Sequence, residues 1–201
     1  MTRQEIEEYY DTTENREIRP DLTLAVKNVG EPKIAIDCGC GAGADIKYLL
    51  AAGFKVYGFD IEEESISRCK ERFKNNGDLV LSKADFNSYK YPRASLVVAD
   101  ASLFFCPEND FEPVWRKIHE CLCSNGIFCG SFLGPEDTMA SANNNQVFWD
   151  NALVFHEVQV KSLFRNDYEI ISFTEHKSSG KNPNGLAHDW HVFSVVARKL
   201  E

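Results

Sequence analysis

Short runs of β-branched and apolar residues alternate along this chain with longer segments in which apolar residues recur at helical spacing. The short runs predict strands over 33–38, 55–60, 79–84, 95–99 and 127–132. The longer segments predict helices over 45–52, around Ile66, Cys69 and Phe73, and over 110–122, each followed by a glycine or Asn-Gly stop signal at Gly53, Asn76-Gly77 and Asn125-Gly126. Because strands and helices alternate strictly, we expect parallel strands joined by right-handed crossovers.

The two ends of the chain depart from this alternation. Residues 1–30 are polar and predict two helices, separated around 11–16 and Pro20. After residue 132 the pattern predicts, in order, a polar loop over 134–146, a helix over 147–165, and strands over 168–174 and 191–198 joined by a long mobile loop over 177–189. The predicted fold is an α/β, Rossmann-like sheet of seven mostly parallel strands, with a C-terminal antiparallel hairpin and helices on both faces.

Composition narrows the class of protein. The 201 residues suffice for one domain with a full core, and 43% apolar and 26% charged residues are typical of a globular protein. The sequence lacks an apolar run near the roughly 18 residues of a membrane span. A net charge of −9 argues against a nucleic-acid partner. Seven loosely spaced cysteines and a polar start without signal-peptide character predict a cytoplasmic protein with reduced thiols.

The stretch 33–43 carries the strongest chemical signal. Its β-branched run stops at Gly39, Gly41 and Gly43, and a helical pattern follows, which is the layout of a nucleotide-cofactor site. Glycines suit such a turn because they reach positive φ and let a ligand approach bare backbone. The carboxylate of Asp37 comes directly before the turn.

Two classes of cofactor fit this turn. Gly39-x-Gly41-x-x-Ala44 also satisfies the dinucleotide fingerprint, and Asp60, at the end of the second predicted strand, can accept ribose hydroxyls from either class. Asp37 separates the two, because its carboxylate repels the pyrophosphate of NAD but tolerates a cationic ammonium group. Asp37 therefore disfavours an NAD-binding oxidoreductase.

Asp37-x-Gly39-x-Gly41-x-Gly43 resembles motif I of the class I S-adenosylmethionine (SAM)-dependent methyltransferases. Further segments extend the resemblance over nearly the whole chain: 95–99, 104–107, 115–119 and 126–134. The chain is most similar to the small tellurite-resistance/thiopurine-methyltransferase-like group. The resemblance implies that these residues bind the cofactor: Asp37, Gly39, Cys40, Gly41, Gly43, Asp60, Ile61, Asp85, Phe86, Ala99 and Asp100.

The resemblance also suggests individual roles. Asp85 would hold the adenine amino group, and the methionine ammonium would meet Asp100 or backbone carbonyls beside it. The N-terminal segment is similar to one that covers the cofactor in that group. Arg19 would then meet the SAM carboxylate, and Tyr9 or Tyr10 would roof the pocket.

The acceptor side departs from known patterns. The sequence 99–105 lacks the Asn/Asp-Pro-Pro-Tyr/Phe motif that methylates exocyclic amines of bases, which argues against a DNA methyltransferase. Phe104 and Phe105 stand where many relatives carry histidines, and they suggest an apolar substrate wall. The predicted substrate-binding residues are Tyr9, Tyr10, Phe104, Phe105, Trp149 and Trp190.

Two histidines near the last strand have two interpretations. His188 and His191 can face the substrate, one of them as a general base, or they can pack the hairpin together with Trp190. The sequence leaves both open.

Closely spaced cysteines do not predict a metal site. His119-x-Cys121-x-Cys123 lies on a predicted helix, where residues two apart point away from each other. Cys38 and Cys40 flank the glycine turn. We therefore expect no metal.

The sequence thus predicts one domain over 1–201, with 1–30 as an N-terminal cap and 31–201 as a SAM-binding core. The predicted activity is SN2 transfer of the SAM methyl group to a small molecule, driven mainly by positioning, with S-adenosylhomocysteine (SAH) as product. A non-catalytic SAM-binding sensor or partner subunit is the alternative. A monomer and a homodimer are both compatible with the sequence.

Overall fold

The computed structural model describes residues 3–140, 152–182 and 185–201. Its strands are β1 Ile34–Cys38, β2 Lys55–Asp60, β3 Leu79–Lys83, β4 Ala94–Ala99, β5 Leu122–Leu133, β6 Tyr168–Lys181 and β7 Ala187–Lys199. Its helices are α1 Arg3–Thr13, α2 Pro20–Asn28, α3 Ala44–Ala51, α4 Glu63–Arg72, α5 Glu108–Cys121 and α6 Glu157–Leu163, with short 3₁₀ turns at Leu103–Phe105 and Thr138–Ala140.

The seven strands form one sheet in the order β3-β2-β1-β4-β5-β7-β6. The first five strands are parallel, and β7 runs antiparallel between β5 and β6. This arrangement confirms the predicted fold class. The central strands are mostly apolar because helices cover both faces, and all of Ala94–Ala99 is buried.

Two apolar clusters lie on opposite faces of the sheet. On one face, Leu22 of α2 and Ile46 of α3 pack against the sheet with Ile66 of α4. On the other, Val114 of α5 and Phe164, just after α6, pack against β4 and β5. The carboxyl ends of the parallel strands meet at one edge between these layers, where ligands bind in open α/β sheets.

The predicted helix over 147–165 is much shorter in the described part of the chain. Only Glu157–Leu163 is helical, and residues 147–151 lie outside the described residues. The preceding residues are extended because Val154 bridges to Leu133 at the end of β5 and the Phe155 N–H donates to the Leu133 carbonyl. The apolar residues of this segment therefore extend the sheet edge rather than a helix face.

The predicted loop over 177–189 is wrong. Residues 177–181 pair with 187–191, so the hairpin strands extend as far as Lys181 and Ala187. Residues 177–181 are all exposed, so this stretch lacks the alternation of buried and exposed side chains that marks a half-buried strand. A cross-strand hydrogen bond of 2.6 Å from Ser179 Oγ to Asp189 Oδ1 supports it. The polar sequence without alternation therefore predicted a loop, whereas the backbone of 177–181 and 187–191 forms an antiparallel ladder.

Strand β5 also begins earlier than predicted. Helix α5 ends at Cys121, and Leu122, predicted as helical, pairs with Ala94 of β4. The register shifts before Ile127, and Asn125 takes a positive φ of 60° inside the strand. The Asn-Gly pair therefore marks an irregularity within β5 rather than a separate turn.

Candidate functional site

The glycine turn between β1 and α3 needs glycine for two different reasons. Gly39, Gly41 and Gly43 all have positive φ, at 72°, 50° and 80°. A Cβ on Gly39 would lie 2.6 Å from the Cβ of Ser102, so the turn packs tightly against the loop after β4. A Cβ on Gly41 would meet only the Tyr10 ring at 3.7 Å, so this glycine faces the covering helix α1.

Asp60 ties the glycine turn to the end of β2. Its Oδ2 accepts a 2.8 Å hydrogen bond from the Gly41 N–H, and its Oδ1 accepts one of 2.9 Å from the Glu62 N–H. Burial raises the pKa of this carboxyl, and the backbone hydrogen bonds counteract part of that rise. Each oxygen keeps a second lone pair, so the ribose-binding role stays compatible with this geometry.

An ion cluster closes the site above β1 and β4. Arg19 binds Asp100 (Nη1–Oδ1 2.6 Å) and Asp45 (Nη2–Oδ2 3.0 Å). Arg16 binds the same oxygen of Asp45 at 2.8 Å and lies 3.9 Å from Asp100. The segment between α1 and α2 is thereby fixed over the strand ends.

Three atoms in this region are buried without a hydrogen-bond partner among the described residues. They are Arg19 Nε, Asp37 Oδ2 and Asp45 Oδ1. One donor and two acceptors match an α-amino acid end, which offers a carboxylate and an ammonium. Because unpaired buried polar atoms are costly, this set fits the methionine moiety of SAM.

Asp37 lies at the centre of this set. It is 4% exposed. Burial and the neighbouring Asp45 raise its pKa well above the usual range, while Arg16 and Arg19 act in the opposite direction. Asp37 therefore favours binding of a positively charged group.

Two residues of the cluster were missed at the sequence level as site members. Arg16 stands three residues before Arg19, and Asp45 stands in the first turn of α3, where an acidic residue is commonly attributed to the helix dipole. Only the burial of Asp45, at 5% exposure, distinguishes it from such a residue.

Helix α1 covers the glycine turn. Tyr10 is buried over Gly41, and burial raises its pKa. Burial also raises the pKa of Tyr9, on which the charges of Arg16 and Asp100 act, so this ring lies beside the ion cluster. Tyr10 thus covers the glycine turn and Tyr9 lies beside the ion cluster, and their role as a roof over the cofactor stays a prediction.

Arginines of α4 hold α1 in place. Arg68 Nη1 lies 2.6 Å from Asp11 Oδ1, and its guanidinium lies over the Tyr10 ring. Arg72 Nη1 donates to the carbonyls of Glu14 and Ala42, each at 2.8 Å. Arg72 thus links the end of α1 directly to the glycine turn.

The remaining predicted cofactor residues occupy the ends of β2, β3 and β4. Asp85 is exposed, and its Oδ1 accepts a hydrogen bond from the Ser88 N–H, which lowers its pKa. Phe86 packs edge-on against Phe59, and Ile61 is exposed. Adenine binding by Asp85 stays a prediction.

The aromatic pair after β4 is divided between core and surface. Phe104 is buried and its carbonyl accepts a hydrogen bond from the Leu153 N–H. Phe105 is partly exposed, and the two rings lie 4.6 Å apart. Only Phe105 can therefore offer much surface to a substrate, while Trp149 lies outside the described residues.

The two histidines have different environments. His191 Nδ1 accepts from the Glu136 N–H at 3.0 Å, and its Nε2 lies 2.9 Å from Glu175 Oε1. Both ring nitrogens are thus engaged, and a Cβ on Gly134 would lie 2.5 Å from the ring. This geometry favours the packing interpretation for His191.

His188 is held by a carboxylate that the sequence analysis did not single out. Its Nε2 lies 3.1 Å from Asp137 Oδ1, and its ring lies 4.7 Å from Trp190. Asp137 is buried and follows the carboxyl end of β5. An acidic residue in a polar loop gave no signal of this role.

Within residues 3–140, 152–182 and 185–201, no three or more His, Cys, Asp or Glu side chains are arranged so that they could hold a metal ion. None of the helices described there has the length and apolar character to cross a bilayer.

Comparisons with known proteins agree with this architecture. Residues 35–126 match a family model described as a methyltransferase domain. The carboxy-S-adenosyl-L-methionine synthase of a Nitratiruptor species is 30% identical over 109 residues, which cover 52% of this chain and 46% of that protein. The chain thus aligns with about half the length of the curated relatives it matches.

Solved structures show the same fold. TehB from Haemophilus influenzae has a TM-score of 0.74 and 21% identity, covering 96% of this chain and 67% of TehB. Burkholderia thailandensis 1,6-didemethyltoxoflavin-N1-methyltransferase, solved with 1,6-didemethyltoxoflavin and SAH, has a TM-score of 0.66 and 19% identity, covering 98% and 86%. These likenesses and the sheet order together show that the chain has the fold of the class I methyltransferases.

Proposed function

We propose that this chain transfers the methyl group of SAM to a small-molecule acceptor. The observation that carries the proposal is the buried set of Arg19 Nε, Asp37 Oδ2 and Asp45 Oδ1, which is complementary to a zwitterionic amino acid end. This set lies beside a glycine turn that leaves backbone open to a ligand. An NAD pyrophosphate has no cation for these carboxylates to bind.

Each of these residues would bind a different part of the cofactor. Arg19 would bind the carboxylate, Asp37 the ammonium, Asp60 the ribose hydroxyls and Asp85 the adenine amino group. SAM supplies a methyl group already activated by its sulfonium. The chain then has to align an acceptor and exclude water, which the covering α1 supports.

On the acceptor side, Phe105 and Trp190 supply aromatic surface that is partly exposed. His188 is the candidate general base, and Asp137 is its positioning residue, because a buried carboxylate can fix the orientation of the ring. An acceptor with a hydroxyl or ammonium group would need this base, whereas a thiolate would not.

A small acceptor fits the charge and the neighbours. The net charge of −9 disfavours a nucleic acid. The Burkholderia structure pairs a methyltransferase of this fold with 1,6-didemethyltoxoflavin. We further propose a single cytoplasmic domain, in which residues 1–30 form the cap over the core; its seven free thiols support a reducing compartment.

Calorimetric titration with SAH and with NAD tests the cofactor assignment. We expect SAH to bind and NAD not to bind. Asp60→Ala should lower the affinity for SAH by at least tenfold, because the change removes both the hydrogen bonds to the glycine turn and the proposed ribose acceptor. Asp78→Ala, an exposed carboxylate near the same strands, is the matched control and should bind normally. Unaltered SAH binding by Asp60→Ala would contradict the assignment.

Turnover separates an enzyme from a non-catalytic SAM sensor. We expect SAH to form from SAM in the presence of a panel of thiols, phenols, amines and oxyanions. If SAM binds tightly but SAH forms no faster with the acceptor panel than without it, the result favours the non-catalytic SAM-binding sensor.

A further inference from the structure

Ala101, in the turn that follows β4, has a strained backbone. Its φ is 47°, and the other non-glycine residues with positive φ in the described part of the chain are Asn75 and Asn125, whose residue type tolerates this region. Ala101 is exposed, so packing around its side chain does not impose the strain. The contacts of the neighbouring backbone and side chains must therefore maintain this conformation.

Ser131 of β5 binds the centre of this turn. The pairing of β4 with β5 ends at Ala99 and Gly130, and one residue further along β5 the Ser131 hydroxyl accepts a 2.8 Å hydrogen bond from the Ala101 N–H. Ser131 is buried, so its loss would leave this N–H without an equivalent acceptor on β5. The hydroxyl thus attaches the chain to β5 at the point where the backbone ladder stops.

Both neighbours of Ala101 contact the cofactor half of the site. On one side, Asp100 Oδ1 lies 2.6 Å from Arg19 Nη1. On the other, Ser102 packs against the glycine turn, where a Cβ on Gly39 would lie 2.6 Å from the Ser102 Cβ. A change in the backbone angles of Ala101 would therefore displace the partner of Arg19 and the support of the glycine turn together.

We propose that Ser131 is a positioning residue for the cofactor, because its hydrogen bond keeps Ala101 at positive φ. The turn then holds Asp100 and Ser102 where they support the bound cofactor. The inference rests on the proposed function. Without the Ser131 hydroxyl, the strain of an alanine in the left-handed region favours a relaxed turn by about tenfold. Because the relaxed turn does not bind the cofactor, the apparent SAH affinity falls by the same factor.

A role of Ser131 in sheet stability alone has a different consequence. In that case the effect of removing its hydroxyl does not depend on the residue type at position 101. If Ser131 acts through the strain of Ala101, the effect does depend on it, because Ala101→Gly makes positive φ nearly free of cost. The two substitutions then interact instead of adding.

Calorimetric titration with SAH tests this interaction in four proteins: wild type, Ser131→Ala, Ala101→Gly and the double variant. We expect Ser131→Ala to bind SAH about tenfold more weakly than wild type, and the double variant to recover about threefold or more of that loss. In the wild-type background the turn is already held, so Ala101→Gly should raise the affinity by less than about twofold.

A second pair of variants separates the hydroxyl from the size of the side chain. Ser131→Thr and Ser131→Val introduce side chains of nearly the same shape, but only Ser131→Thr keeps the acceptor. We expect Ser131→Thr to bind SAH within about threefold of wild type and Ser131→Val to bind about tenfold more weakly. Should Ser131→Ala not fold, as denaturant unfolding would show, this pair still decides.

Ser194→Ala is the matched control. Ser194 is also buried, and it lies directly opposite Ser131 in the pairing of β5 with β7. Its removal takes a hydroxyl from the same part of the sheet without touching the turn after β4. We expect the SAH affinity of Ser194→Ala to stay within about twofold of wild type, because the strained turn keeps its acceptor.

Three results would overturn the inference. Ser131→Ala could bind SAH as tightly as wild type, Ala101→Gly could fail to restore binding in the double variant, or Ser131→Thr and Ser131→Val could weaken binding equally, as a merely structural role predicts. In each case the wild type still binds SAH, and the proposed function stands. If SAH does not bind the wild type, the proposed function itself fails.

Discussion

Two buried carboxylates at the same edge of the sheet, Asp45 and Asp137, are in opposite states of hydrogen bonding. Asp137 Oδ1 accepts from the Met139 N–H and faces His188, and its Oδ2 accepts from the His191 N–H. Asp45 has two arginine partners on one oxygen and none of the described residues on the other. Asp137, which has partners on both oxygens, stabilises the surrounding backbone, whereas Asp45 has an oxygen that can accept a hydrogen bond from a ligand.

The same contrast separates the two halves of the site. On the cofactor side, buried charges converge and leave polar atoms unpaired among the described residues. On the hairpin side, Lys177 bridges Glu136 and Glu175, and Glu175 in turn contacts His191, so the polar groups satisfy one another. The cofactor half is therefore more specific about its ligand than the acceptor half.

The largest expected effect is that of Gly39→Ala. It combines a positive φ with a Cβ only 2.6 Å from Ser102 Cβ, so the glycine turn must move. We expect a stability loss of about 4 kcal/mol, since the positive φ costs about 1–2 kcal/mol and the overpacking about 1–3 kcal/mol more. SAH affinity should be at least tenfold weaker, and denaturant unfolding and calorimetry measure the two effects.

Gly53→Ala is the matched control for this change. Gly53 has a φ of 83° but open space around its Cβ position, so it isolates the backbone cost of about 1–2 kcal/mol. It should leave SAH affinity unchanged. Equal stability losses and unimpaired SAH binding in both variants would show that contact with Ser102 is unimportant.

Asp137→Ala tests the satisfied carboxylate. It removes the acceptor for two backbone N–H groups and for His188, so we expect a stability loss of about 3 kcal/mol. SAH affinity should stay within twofold of wild type, because the contacts of Asp137 lie on the hairpin side of the site. The neighbouring exposed Asp189→Ala, which loses only a bond to Ser179, should cost much less. A large loss of SAH affinity in Asp137→Ala would erase the contrast.

Asp37→Asn is expected to stabilise the unliganded protein, although it should lower the affinity for the cofactor. The folded-state pKa of Asp37 is raised, so its contribution to stability is fully present below the unfolded pKa and is lost as pH rises through the folded pKa. The melting temperature of the variant should therefore exceed that of wild type by more at pH 8 than at pH 5. A melting difference that does not depend on pH would contradict the raised pKa.

Periodicity predicted the central fold because each parallel strand is a short buried run with its own helix. It failed at the hairpin, where Ser179 and Asp189 pair in a ladder that extends beyond the apolar core. It also failed at Val154 and Phe155, whose apolar character satisfies a strand extension as well as a helix. Periodicity reports the spacing of buried residues, whereas these segments are fixed by backbone pairing that does not depend on such spacing.

The site shows a similar division. Asp37 and Asp60 were found because a strand end and a glycine turn fix where their side chains lie. Asp45 and Asp137 were missed because their role depends on burial by distant segments, namely the arginines before α2 and the histidines of β7. The local sequence predicts the glycine turn, whereas tertiary contacts decide which buried carboxylate has hydrogen-bond partners on both of its oxygens.

The smallest expected effect concerns the attachment of α1. Arg68→Gln removes ion pairs to Asp11 and Glu64 that are partly exposed, each worth about 0.2–1 kcal/mol. We expect SAH to bind two- to fivefold more weakly at low salt and almost normally at about 0.5 M salt, where screening weakens the wild-type pairs as well.

Lys74→Gln, which breaks the exposed pair with Glu71 on the same side of the sheet, should leave SAH binding unchanged at either salt concentration. Equal effects of the two variants would mean that surface charge in general, rather than the cover over the glycine turn, supports binding. A loss confined to Arg68→Gln would instead extend the contrast between the halves, because cofactor retention would then depend on contacts that salt can loosen as well as on buried charges that it cannot.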